Sequence, residues 1–138
     1  MKPSIVAGIC VGLATGAWMF AEYALGLHDD PAGAGRWTGF LALIFPVLGA
    51  YWLATRAPRP SWPLAMRDGV LCGLMGGVVG GAAIYLCFTV VNPGFRVGGR
   101  VVDPGAQALA GYAGSLVLGP ILTVVMKAVS RRKGGSYG

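Results

Sequence analysis

The sequence predicts an all-α membrane protein of four transmembrane helices, arranged as two helical hairpins in parallel repeat. Three observations predict it. The 138 residues are 55% hydrophobic and only 12% charged, with a mean hydropathy of +0.66. A soluble domain carries roughly 25% charged residues, so this chain has too little polar surface to face water. Four stretches approach the ~20 apolar residues that a helix needs to cross the hydrocarbon core. A glycine spacing in the first of them recurs in the third. The length suits a single unit over residues 1–138.

The first span, residues 5–26, carries one charge, Glu22, near its far end. Its apolar run exceeds a signal-peptide core, and Glu22 stands where a small-residue cleavage site would lie, so this span is expected to be retained. The spans at 37–55, 69–91 and 105–126 carry no charge. The joints "LHDDPAGAGR", "RAPRPSWPLAMRD" and "NPGFRVGGRVVDP" are polar or rich in helix breakers. The expected division is a first hairpin over 1–56, a loop over 57–67, a second hairpin over 68–128 and a basic tail over 129–138.

Short-loop charges set orientation, because basic residues accumulate on the cytoplasmic side. Lys2, Arg56, Arg59, Arg67, Lys127, Arg131, Arg132 and Lys133 fall on one side, and Arg36, Arg96 and Arg100 on the other. Both termini are therefore expected in the cytoplasm. The net charge of +6 reads as this topology signal and as anchoring to anionic headgroups, so no nucleic-acid partner is expected and the bilayer itself is the partner.

The repeat rests on register. "GICVGLATG" places Gly8, Gly12 and Gly16 four apart, and "GLMGGVVGG" does the same with Gly73, Gly77 and Gly81. A shift of 65 residues superposes them and sets Lys2 on Arg67. A shift of 74 sets "LIFPVL" on "VLGPIL", and Pro46 on Pro120. Two spans separate equivalent helices, so the halves share one orientation, as parallel repeats do. Residues at i, i+4 and i+8 share a helix face. Glycine there lets another backbone approach closely, which is what joins helices in lipid. The arrangement expected sets the first and third helices face to face through these six glycines. The alternative uses the stripes between chains, in a homo-oligomer or a larger membrane complex.

Pro46 and Pro120 fall roughly 15 Å from the cytoplasmic ends, near mid-membrane. Each removes a hydrogen bond to the residue four earlier, loosening the carbonyls of Ala42 and Leu116. A bend is the expected consequence.

Chemistry-bearing residues are few. His28 is the only histidine, and "HDDP" reads as a solvated turn rather than a metal site. No metal and no cofactor is expected. Cys10, Cys72 and Cys87 all lie inside spans and read as small packing residues. Asp68 and Asp103 flank helix starts, where a carboxylate favours the helix dipole. Trp37, Trp62 and Tyr112 sit where interfacial belts form, while Trp18, Tyr51, Trp52 and Tyr85 read as lipid or helix contacts. No Ser, Cys or Thr has an evident base, so no enzyme is expected. Glu22 is the one ionisable residue within a span, a candidate proton or cation site. Its place near the outer headgroups also fits an interfacial acid paired with water, Arg36, Arg96 or Arg100.

Lys2 before a glycine-rich helix, "RDGVLCGLMGGVVGG" and "YLCFTVVNPGF" together resemble the bacterial membrane family called domain of unknown function 4199, whose asparagine-proline-aromatic signature matches Asn92, Pro93 and Phe95. That resemblance implies a multi-pass protein of the bacterial inner membrane with no assigned reaction. The chain is also similar to small multidrug transporters, four-helix proteins with a glutamate in the first helix, here Glu22 in "MFAEYALG". The function expected is a non-catalytic scaffold or accessory subunit packed through glycine-faced helices. The alternative is a small transporter or channel using Glu22.

Overall fold

The computed structural model describes residues 2–27, 35–56, 61–97 and 100–134. "HDDP", with His28, Asp29 and Asp30, lies outside them. The described chain is almost entirely helical. In order it forms α1 (Pro3–Ala24), α2 (Gly35–Leu41), α3 (Ile44–Arg56), α4 (Trp62–Leu86), a π-turn (Cys87–Val91), β1 (Arg96–Val97), β2 (Arg100–Val101) and α5 (Pro104–Gly134). Four helical segments are long and apolar enough to cross a membrane: Pro3–Ala24, Trp37–Arg56, Trp62–Val91 and Pro104–Ser130.

Local chemistry sets the boundaries. Pro3 opens α1 at a position where its missing N–H is no loss. Gly26 closes it in the left-handed region at φ 70°, with the N–H of Gly26 donating to Tyr23 O and that of Leu27 to Glu22 O, a Schellman ending. α4 starts at Trp62, so half of the stretch expected as a loop over 57–67 is its first turns. Ser61 and Pro63 explain the early start, since proline is tolerated in a first turn. Asp68 consequently lies inside α4, beside Arg67 at 3.4 Å, and does not cap a helix. Asp103 does cap one: its Oδ1 accepts from Gly105 N at 2.8 Å and Ala106 N at 3.3 Å. The "NPGF" signature is a turn. Phe95 N donates to Asn92 O, and the Phe95 ring stacks on Phe88 at 5.1 Å. A two-residue antiparallel ribbon, Arg96 opposite Val101, then leads into α5.

The helices close a ring in the order α1, α4, α5, α3, each packing on its neighbours. α1 and α4 run parallel, since Gly8 faces Cys72, Gly12 faces Gly76 and Gly16 faces Ala83. α4 and α5 run antiparallel, since Gly69 faces Pro120 and Gly81 faces Ala108. The interior is made mostly of small residues, and Ala7, Leu53 and Cys72 form a buried apolar cluster. Large apolar side chains such as Leu13, Phe40, Val90 and Leu109 point outward. An apolar exterior around a small-residue interior suits a lipid solvent, in which close backbone packing replaces the hydrophobic effect.

The glycine expectation needs correction in one respect. Gly8, Gly12 and Gly16 do face α4, but not Gly73, Gly77 and Gly81. They meet Cys72, Gly76, Val79, Gly80 and Ala83. The second stripe is turned about 100° away, one residue around the helix, and packs on Ser115, Tyr112 and Ala108 of α5. α4 carries glycines on two faces, and each face takes a different neighbour. Equivalent stripes in the two hairpins thus have unlike partners.

The two prolines also differ. Ahead of Pro46 the helix is interrupted at Ala42–Leu43. Phe45 N–H donates to Ala42 O over three residues, and Leu43 N–H does the same to Phe40 O, tighter bonds that replace the α ladder. At Pro120, α5 continues unbroken. The Gly119–Pro120 backbone is seated against Gly69 and Gly73 of α4, so this proline serves a contact rather than a break.

Candidate functional site: a cavity between the helices

A cavity of about 240 Å³ lies inside the ring and is lined by every helical span. α1 contributes Val11 and Thr15. The interrupted second span contributes Ala42, Leu43, Pro46 and Ala50. α4 contributes Cys72, Gly73, Gly76, Gly80, Gly81 and Ile84, and α5 contributes Gly111, Gly114, Ser115, Leu118, Gly119 and Thr123. The walls are mainly glycine backbone and aliphatic carbon. Thr15, Ser115 and Thr123 supply hydroxyls, and the Thr123 hydroxyl is engaged, donating to Gly119 O at 2.8 Å. The helix interruption at Ala42–Leu43 falls on this wall, so the proline-loosened backbone adjoins open space.

The cavity is partly open to the surroundings rather than a sealed void. A second groove of about 330 Å³ involves only α1 and α3, along Val6, Cys10, Phe45, Leu48 and Trp52.

One charged residue is buried beyond each end of the cavity. Glu22 is 7% exposed and lies two turns beyond Thr15 on α1, outside the cavity wall. Trp18 stands between them. Its indole Nε1 donates to Glu22 Oε1 at 2.9 Å and to Thr38 O at 3.2 Å, and its ring tilts against Phe45 at 6.5 Å. Glu22 is therefore engaged on its own helix by Trp18, and Trp18 ties α1 to α2. The i, i+4 spacing in "WMFAE" was legible as such a pair.

At the other end, Lys127 is 1% exposed and Thr123, one turn earlier, 2%. Lys127 Nζ lies 4.3 Å from the centroid of the Trp62 ring, a cation–π contact joining the end of α5 to the start of α4. The charge pattern counts Lys127 among the basic residues of the cytoplasmic side and places Trp62 in the interfacial belt. The signal for burial was position: Lys127 is flanked by "LTVVM" and "AVS" and falls within the apolar span Pro104–Ser130.

Among the described residues no group of three His, Cys, Asp or Glu side chains converges. Cys10, Cys72 and Cys87 are free thiols. Of the sequence-selected residues, Pro46, Gly73 and Gly81 line the cavity, whereas Gly8, Gly12, Gly16, Gly77, Pro120 and Glu22 do not. Comparison of the chain with protein-family models, with curated proteins and with solved structures gave no match.

Proposed function

We propose that the protein is a small transporter- or channel-type membrane module whose working part is the cavity between its helices, and that it catalyses no reaction. The observation that carries this reading is where the glycines are used. The stripes that could have docked a partner meet α4 and α5 of the same chain, and what they enclose is a cavity with a helix interruption in its wall. An unwound segment inside a membrane bundle is tolerated where it lines such a space. Glu22, held by Trp18 beyond one end of the cavity, is the proposed proton or cation site. The positive-inside rule places the Lys127 end in the cytoplasm and the Glu22 end outside.

The test is flux in liposomes. Purified protein is reconstituted, and proton, Na⁺, K⁺ and ethidium movement is followed with entrapped dyes. Wild-type protein moves at least one of these, and Glu22→Gln abolishes the movement while retaining its helical content and elution volume. Absence of flux for all four probes in folded wild-type protein refutes the reading. A scaffold or accessory role is the second reading, favoured by the groove between α1 and α3 that the chain leaves unfilled. Native mass spectrometry from mild detergent would then find other subunits bound at fixed stoichiometry.

A further inference from the structure

Deepening that reading, we infer that the central cavity binds a single-chain amphiphile with an anionic head group, its tail among the glycine backbones and its head at Lys127.

Three features point there. The first is shape. The lining runs from Cys72 to Ile84 on α4 and from Gly111 to Thr123 on α5, about 18 Å along each axis at 1.5 Å per residue. A lining this long, running beside two helices, suits one extended chain. The second is composition. Glycine backbone and aliphatic carbon dominate the wall, so the part of a ligand inside it is apolar.

The third is the asymmetry of the ends. Thr123 is on the wall, and Lys127 follows it by one turn, about 6 Å along α5. The ammonium rests against Trp62, which is exposed at the start of α4; neither residue belongs to the cavity wall itself. A tail that passes Thr123 brings its head group to a cation. Toward the opposite end α1 carries Trp18, whose indole is fixed by Glu22 and Thr38, and the buried charge beyond the wall there is the carboxyl of Glu22. An anionic head is accommodated at one end only.

The experiment uses the full chain in phosphatidylcholine nanodiscs. A dibrominated decanoate quenches tryptophan by contact, and Trp62→Phe identifies the share that comes from Trp62. The expected result is saturable quenching of Trp62, at least tenfold weaker in Lys127→Gln, with an equal-length trimethylammonium chain failing to compete. Gly114→Leu abolishes it while keeping the wild-type helical content and elution volume, because Gly114 lines the cavity and the first carbon of a side chain there meets nothing within 4 Å. Should Lys127→Gln misfold, the head-group series and Gly114→Leu carry the test alone. Competition by a ten-carbon anionic lysophospholipid at lower concentration than decanoate assigns the ligand to membrane lipid, and the reverse order assigns it to a free carboxylate. Wild-type quenching in Gly114→Leu, equal competition by the cationic chain, or quenching that never saturates overturns the inference. Saturable binding without flux refutes the transport reading and leaves this site standing. Flux without head-group selectivity does the opposite.

Discussion

Replacing Gly12 by alanine adds one methyl group at the crossing of α1 and α4. A Cβ there would lie 2.7 Å from Val79 Cβ, 2.8 Å from Gly76 O and 3.0 Å from Gly80 N. Two of these three are backbone atoms of α4 and cannot rotate away. Restoring ordinary contact, near 3.4 Å, requires the helices to separate by about 0.6 Å. A gap of that size forfeits roughly a quarter to a half of the dispersion energy of the atoms facing it. Overpacking of this kind costs about 2 kcal/mol, against a gain of at most ~1 kcal/mol in helix propensity. The internal reference is Gly114→Ala, in a site where a Cβ meets nothing and the propensity gain stands alone. Equilibrium unfolding in mixed micelles of rising dodecyl sulfate content, followed by tryptophan emission, compares the two. Gly12→Ala unfolds earlier than wild type and Gly114→Ala no earlier. If Gly12→Ala matched wild type, the close approach of α1 to α4 would not be what holds the bundle together.

Three further outcomes follow from the same geometry. Pro46→Ala supplies the missing N–H and should restore a continuous helix through Ala42–Leu43, raising hydrogen-exchange protection at residues 42–47 and lowering any liposome flux. Trp18→Phe removes the donor shared by Glu22 and Thr38, costing about 1–3 kcal/mol for the two hydrogen bonds lost and loosening α2 from α1 in exchange experiments. Asp103→Ala deletes the acceptor for two N–H groups at the start of α5, lowering stability by about 1 kcal/mol with no effect on ligand binding.

The four spans were legible because hydropathy and length are properties of a segment alone. Pro46 was legible for the same reason, since the lost hydrogen bond is local. The partner of each glycine stripe was not. α4 carries glycine at 69, 73, 77 and 81 and again at 76 and 80, on faces one residue apart in rotation. Nothing in a single sequence says which face meets which neighbour. Pro120 differs from Pro46 because its contact comes from α4, across the bundle. Lys127 and Trp62 are remote in sequence and meet only once α4 and α5 pack. A charge near the end of a span reads the same whether it snorkels outward or rests inward on an aromatic face.

Two classes of glycine emerge from the packing, and their separation bears on function. At Gly8, Gly12, Gly69, Gly73 and Gly119 an added carbon would strike backbone of a neighbouring helix, so close approach alone demands glycine. At Gly80 the nearest atoms lie 3.8 and 3.9 Å away, and at Gly114 nothing lies within 4 Å. Alanine would fit both positions and would favour the helix by up to about 1 kcal/mol each. Packing therefore leaves these two glycines unexplained, and both face the cavity. Gly39 in α2 has the same freedom and lies off the cavity, so open space at a glycine is not confined to the cavity wall. What sets Gly80 and Gly114 apart is that side chains there would enter the space between the helices, which makes them the positions at which the proposed cavity function is tested by filling it.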